Sequence, residues 1–391
     1  MQYVARELGT QLLRAARSFP AVVLTGPRRA GKTYLLRRLF PGASYRLLED
    51  PDVVGRFRSD PQGFLDSLRL PVILDEVQHV PEVFNYVRSR IDAAPRRMGQ
   101  WLLTGSREAA LMTNVTESMA GRAAVLQLLP LSVRESSRVS ILRGGYPEAL
   151  ASPGASSLWF SSYVQTYLER DVRSVSAVHD LAAFRRFLAL IASRHGGILN
   201  KSDIAAPLGM SVPGVGRWLD ILEATAQILV IPPFFENAGK RLIKSPKVYI
   251  ADSGLACHLL GIRSAAELGR SPFAGVLFEG FVASEIVKAQ MNAGRRRELY
   301  HFRDQQGLEV DFIVPGESGG LRFIEVKTTA TPTPDMAAPM MKLAKAWRGS
   351  GQPRGSLSMV LVHQSRKSGS PSRALAPGVQ AMPWSEFLSA E

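Results

Sequence analysis

The stretch Gly26-Pro27-Arg28-Arg29-Ala30-Gly31-Lys32-Thr33 constrains this chain more than any other. It matches the phosphate-binding pattern G-x-x-x-x-G-K-[ST] at every fixed position. The run before it, Ala21-Val22-Val23-Leu24-Thr25, is apolar and β-branched, which predicts a buried strand. The run after it, Tyr34 to Phe40, carries apolar residues at helical spacing. Strand, glycine loop and helix in that order predict an α/β sheet with loop amides turned toward phosphate. The positive end of the helix dipole adds to the attraction. In that setting Lys32 reaches the β- and γ-phosphates of ATP, and the Thr33 hydroxyl holds Mg²⁺. The nucleotide-binding set is then Gly26, Pro27, Arg28, Arg29, Ala30, Gly31, Lys32, Thr33 and Tyr34.

Val72-Ile73-Leu74-Asp75-Glu76 is an apolar strand that ends in two acids. Strand ends in such sheets face the ligand. Asp75 is therefore expected in the Mg²⁺ shell, and Glu76 as the group that orients or deprotonates the attacking water. A third strand, Trp101-Leu102-Leu103, leads into Thr104-Gly105-Ser106-Arg107. Thr104 and Ser106 are the candidates for sensing the γ-phosphate. Arg122, beyond that strand, is the candidate arginine finger of an oligomeric ATPase.

The chain has 391 residues, enough for two or three domains. Its formal charge of +14 suggests a polyanionic partner, most often nucleic acid. The expectation is non-specific, salt-sensitive DNA binding. A single cysteine, Cys257, excludes an intramolecular disulfide and fits a reducing cytoplasm. No apolar run approaches the ~20 residues of a membrane span, and the first residues lack the apolar core of a signal peptide. Residues 152–157 and 349–372 are rich in Ser, Pro and Gly and read as loops or linkers.

Residues from about 155 to 196 read as helical, with Trp159, Phe160, Tyr163, Tyr167 and Leu168 as an apolar core stripe. A short helix over Ser202–Met210, closed by Gly209, precedes a second one capped by Ser211 and carrying Val215, Trp218, Leu219, Ile221 and Leu222. Two β-rich pieces, 228–231 and 247–250, follow. This is the layout of a winged helix-turn-helix. The second helix, however, carries Gly214 and Gly216, poor helix formers, and only Arg217 as an exposed base. A structural or non-specific phosphate-contacting role is therefore favoured over base reading. Basic residues cluster just beyond, at Lys240, Arg241, Lys244 and Lys247.

Near the C-terminus, Leu308–Val314 alternates as a strand, a turn follows over 315–320, and Leu321–Lys327 forms the next strand. Glu325 and Lys327 project from one face. Asp311 on one hairpin strand and Glu325-x-Lys327 on the next match the core of the PD-(D/E)xK nuclease pattern. There, Asp311 and Glu325 would bind Mg²⁺, and Lys327 would position water or phosphate. A preceding helix offers a further acid, Glu279 first and Glu285 second.

Taken together, these stretches resemble a family of bacterial and archaeal ATPases that join an AAA-type ATPase domain to a C-terminal domain of unknown function, DUF4143. The match rests on Gly26–Thr33, Leu74-Asp75-Glu76-Val77-Gln78, Leu103-Thr104-Gly105-Ser106, Gly144-Gly145-Tyr146-Pro147-Glu148 and the block Lys244–Leu255. The Asp311 and Glu325–Lys327 pair falls where the family's nuclease-like part lies. The resemblance implies ATP binding and a DNA-related role. The fold class expected is α/β: a P-loop ASCE/AAA-type ATPase domain over 1–135, a helical lid and winged-helix-like segment over 136–245, and an α/β nuclease-like domain over 246–391.

Three activities compete on this basis. One is a homo-oligomeric motor or remodeller coupling ATP hydrolysis to DNA binding or processing. A second is a nucleotide-driven regulatory or defence switch whose nuclease-like part binds without cutting. The third is a nuclease gated by ATP.

Overall fold

The computed structural model describes residues 4–106, 119–168, 181–234, 244–316, 319–348, 355–364 and 373–390; of Tyr167 and Leu168 it describes the backbone alone. Arg107, Lys240, Arg241 and residues 349–354 and 365–372 lie outside the described residues; the described part of the stretch expected to be a linker is instead a largely buried strand, Leu357–His363.

The N-terminal sheet is all parallel and runs in the order β2-β3-β4-β1-β5. Its strands are β1 Ala21–Thr25, β2 Ser44–Leu47, β3 Val72–Asp75, β4 Trp101–Thr104 and β5 Ala123–Gln127. β1, β3 and β4 are buried throughout, as their unbroken apolar runs require of strands covered on both faces. Helices Leu8–Ser18 and Lys32–Leu39 close one face around Leu12, Leu35 and Leu36. Helices Pro51–Ser59 and Val83–Ala93 close the other around Phe57, Phe84 and Val87. β4 lies between β1 and β3, so the glycine loop, the Asp75 strand end and Thr104 open on the same edge of the sheet.

The middle segment is a winged helix with all its parts in order. Helix Leu181–Ser193 leads into β6 Gly197–Ile198, then helices Lys201–Leu208 and Val212–Ala224. β7 Ile228–Ile231 and β8 Lys247–Ile250 follow, and the antiparallel sheet runs β6-β8-β7. Asn200 caps the first of the paired helices and Ser211 the second. The second helix buries Val215, Trp218, Leu219, Ile221 and Leu222. β8 completes this sheet, so the winged helix runs through residue 250, beyond the boundary expected at 245.

The C-terminal sheet has six strands in the order β13-β14-β12-β11-β10-β9. They are β9 Tyr300–Arg303, β10 Glu309–Pro315, β11 Leu321–Lys327, β12 Leu357–His363, β13 Arg373–Ala376 and β14 Val379–Pro383. Helix Ala274–Asn292 covers one face through Phe278, Phe281, Val282 and Ile286. Helix Ala338–Arg348 covers the other through Met340, Leu343 and Trp347. Among the described residues no helix is long and apolar enough to cross a membrane.

Candidate functional sites

The glycine loop has the backbone its sequence demands. Gly26 has φ 133° and Gly31 φ 97°, in the range L side chains rarely adopt. A Cβ on Gly26 would lie 2.0 Å from the Leu128 carbonyl oxygen, so the loop and β5 approach too closely for any other residue. Lys32 donates to the carbonyl oxygens of Gly26 (2.8 Å) and Pro27 (3.0 Å), which sets its buried ammonium inside the loop. The Thr33 hydroxyl donates to Asp75 Oδ2 at 2.8 Å. Hydroxyl and carboxylate oxygens brought together beside a phosphate loop are the hard donor set that Mg²⁺ takes. Tyr34 is 59% exposed at the start of the helix, open to a ligand on the loop.

The Asp75 carboxylate is the hub. Tyr45 on β2 donates to Oδ2 at 2.8 Å, and Thr104 on β4 donates to Oδ1. Burial, with the adjacent Asp75 carboxylate, holds the Tyr45 hydroxyl well above its ordinary pKa, so it stays a donor. The Thr104 oxygen in turn accepts the Glu76 amide at 3.2 Å. Thr104 thus ties the two acids together, and its hydroxyl is taken up by that task. Glu76 has φ 57°, a left-handed backbone uncommon for a non-glycine residue, and this swings its side chain off the strand line. Its carboxylate accepts from Gln78 Nε2 and lies 3.5 Å from Ser106 Oγ. Of the two sensor candidates, Ser106 is therefore the one beside Glu76.

Arg122 is not brought to this site. It opens β5 at the edge of the sheet opposite the loop, where its carbonyl accepts the Ala21 amide at 3.1 Å. Its guanidinium spans Asp92 Oδ1 (2.6 Å) and Oδ2 (3.1 Å). A different arginine reaches the loop. Arg6 donates to the Ala30 carbonyl at 2.8 Å and to the buried Glu135 carboxylate at 2.9 Å.

At the C-terminal hairpin the expected residues do converge. Phe312 opposite Ile324 sets the register, which brings Asp311 alongside Glu325 where the strands part. Asp311 Oδ2 accepts the Val326 amide at 2.9 Å, and Lys327 donates to Glu325 Oε1 at 2.6 Å. Glu325 Oε2 is buried and has no partner among the described residues. Burial and then the nearby Asp311 charge push the Glu325 carboxyl up to about 8 and the Glu279 carboxyl to about 7.

The fourth acid differs from expectation. Glu279 faces the hairpin but accepts from Lys247 Nζ at 2.9 Å and from the Tyr249 hydroxyl. Lys247 also meets Glu309 at 2.6 Å and lies 3.9 Å from Asp311. Burial alone would lower the Lys247 pKa, but the Glu279, Asp311 and Glu309 charges outweigh it and hold the ammonium protonated. Among the described residues no group of three His, Cys, Asp or Glu side chains is arranged to hold a metal ion. The acidic set read from the sequence thus already has a cation, Lys247, seated among its members. Glu285 turns elsewhere: it accepts the Val133 amide at 2.8 Å and Lys288 at 2.7 Å. Six residues along a helix is a rotation of about 240°, so Glu279 and Glu285 cannot share a face.

Sequence reasoning missed Tyr45, Gln78, Arg6 and Lys247. For Gln78 and Lys247 there was a signal, since both lie in stretches that carried the family resemblance without an assigned role. The same block holds Asp252, whose Oδ2 accepts the Gly145 amide at 2.7 Å and Oδ1 the Leu255 amide at 3.0 Å.

The first site defines the N-terminal part as a P-loop ATPase domain of α/β fold. Comparison with known proteins agrees. An AAA domain matches residues 18–137, a domain of unknown function (DUF8612) residues 134–266, and a second one (DUF4143) residues 274–385. Uncharacterized protein Rv2008c of Mycobacterium tuberculosis is 34% identical over 335 residues, covering 84% of this chain and 75% of that protein. Uncharacterized protein Mb2031c of Mycobacterium bovis matches with the same figures. The chain belongs to the family of AAA-type ATPases with a C-terminal DUF4143 domain. Among solved structures, the Walker-type ATPase paby2304 of Pyrococcus abyssi is 18% identical, with 65% of this chain and 95% of that one covered and a TM-score of 0.43. AMPPCP-bound DnaA from Aquifex aeolicus is 12% identical, with coverages of 55% and 85% and a TM-score of 0.29.

Proposed function

We propose that this protein hydrolyses ATP with Mg²⁺ and does so in association with DNA. The observation that carries the hydrolytic part is the gathering of Lys32, Thr33, Asp75 and Glu76 at one sheet edge, with Glu76 off the strand line beside Ser106. Thr33 and Asp75 would hold Mg²⁺, which when bound neutralises phosphate charge. Lys32 binds the β- and γ-phosphates, Gly26–Thr33 amides cradle them, and Glu76 takes the proton of the attacking water.

The DNA part is supported by the +14 charge and the winged-helix topology. Helix Val212–Ala224 exposes only Val212, Pro213, Arg217 and Asp220, too little for base reading. Binding is therefore through phosphates and falls steeply with salt. A second reading, in which the nuclease-like part binds without cutting, is favoured by Lys247 among its carboxylates.

ATPase rates with single-stranded, duplex and branched DNA, across a salt series, test this proposal. Stimulation at low salt that fades with added salt is expected. Turnover indifferent to every DNA at low salt would leave the positive charge without this role and support the regulatory switch.

A further inference from the structure

We infer that Lys247 is the resident cation of the C-terminal carboxylate cluster, held where a nuclease of this layout would place a divalent metal. The inference deepens the non-cutting reading above and rests on it.

The lysine is delivered by a rigid strand. Along β8, Val248 and Ile250 enter the core of the winged helix, while Tyr249 enters the core beneath the C-terminal sheet. Alternation along the strand puts Lys247 on the Tyr249 side, and one strand thus serves two units. The chain around the β7–β8 connection is fastened as well. His301 on β9 donates its amide to Pro232 (3.0 Å) and accepts the Phe234 amide (2.7 Å), and its ring pairs with the Ser245 carbonyl at 3.2 Å.

At the end of this strap, Nζ lies 2.6 Å from Glu309, 2.9 Å from Glu279 and 3.9 Å from Asp311. The lysine is 2% exposed. An ammonium so buried is costly without counter-charges, and carboxylates this close repel without a cation. Each solves the other's difficulty. A divalent ion sitting ~2.1 Å from the same oxygens would press against the ammonium, so ion and lysine exclude one another. Lys327 meets only Oε1 of Glu325, at 2.6 Å, and leaves Oε2 without a partner among the described residues. The consequence is that the cluster latches the winged helix to the C-terminal sheet instead of holding a catalytic metal.

Mn²⁺ titration of the nucleotide-free full chain, followed by electron paramagnetic resonance, tests this. A site is assigned to the cluster only if Asp311→Asn removes it. The wild type is expected to show no such site up to millimolar Mn²⁺. Lys247→Ala should gain one, tighter by about tenfold or more, while Lys247→Arg should behave as the wild type. An Asp311-dependent Mn²⁺ site in the wild type would overturn the inference, as would a folded Lys247→Ala chain without one. Should Lys247→Ala fail to fold by circular dichroism, the wild type against Asp311→Asn decides alone. Mn²⁺-dependent plasmid nicking that Asp311→Asn abolishes would also overturn the non-cutting reading, whereas Mn²⁺ binding without nicking overturns the lysine assignment only.

Discussion

Acid should weaken this protein in large part through one buried histidine. His195 is buried at the end of the helix that opens the winged helix, and its Nδ1 accepts the Ile250 amide at 3.0 Å. Nε2 points at Gly280, where a Cβ would lie only 2.1 Å away, and it has no partner among the described residues. Burial pulls the ring's pKa from 6.5 to about 3. Protonation would also turn Nδ1 from acceptor into donor against the Ile250 N–H. The folded state therefore binds this proton far less readily than the unfolded chain. Stability from the neutral ring is complete above the unfolded pKa of 6.5 and is lost progressively as pH falls toward about 3. Each unit in that window is worth about 1.4 kcal/mol, so moving from pH 7 to pH 5 should cost about 2 kcal/mol from this residue. Urea unfolding at the two pH values would measure it, with His195→Asn as the comparison, because an amide oxygen can keep the Ile250 bond without titrating. The variant should lose about 2 kcal/mol less than the wild type over that interval. Equal losses in both chains would show that His195 is not the titrating group.

Two further outcomes concern the ATPase site. Lys32→Ala should abolish nucleotide binding or turnover, and Glu76→Gln should still bind ATP yet turn it over ~10²-fold more slowly, the usual size of a lost base; single-turnover assays with labelled ATP separate the two, and near-normal rates in Glu76→Gln would remove that role. We also propose that the protein works as a homo-oligomer with Arg122 reaching a neighbour's γ-phosphate, which requires the guanidinium to leave its exposed partner Asp92. Mixtures of Arg122→Ala and Lys32→Ala subunits should then exceed either alone, and a mixture no more active than its parts would return Arg122 to the Asp92 pair.

What could be read from the chain and what could not divides along physical lines. The phosphate loop was legible because its chemistry needs eight contiguous residues whose glycines have no substitute, and Asp75-Glu76 because a buried strand rarely ends in two acids. The winged helix was legible from its paired helices and the Ser211 cap. Tyr45, by contrast, reaches Asp75 from another strand, thirty positions away along the chain. Only the strand order β2-β3 makes them neighbours, and nothing local in Ser44–Leu47 announces it. Lys247 was misplaced for a related reason. In the sequence it is one basic residue in a basic cluster, with a solvated phosphate contact the natural reading. Its burial depends on β8 being shared by two cores, a property of the assembled sheets. Glu285 is the opposite case, since helical rotation alone separates it from Glu279.

The same logic explains why the middle block resembles the family without holding a reactive group. Gly144 and Gly145 turn against Asp252 and Leu131, where added Cβ atoms would come to 2.0 Å and 2.2 Å of oxygen atoms. A Cβ on Gly254 would likewise lie 2.5 Å from the Arg143 backbone. Tyr146, one residue on, shares a buried hydrogen bond of 3.0 Å with Tyr163, and Gln227 donates to Tyr163 at 3.0 Å. Tyr163 in turn lies 3.5 Å from the Arg28 carbonyl, inside the phosphate loop, and Glu148 pairs with Arg29 at 3.5 Å. The buried Tyr146, Tyr163 and Gln227 groups are costly unless satisfied, so they tolerate few alternative arrangements. Loop, junction and winged helix are therefore locked by steric and hydrogen-bond requirements that single residues must meet. These contacts tie the phosphate loop to Gln227 at the base of the wing, and through Asp252 to the strand that carries Lys247.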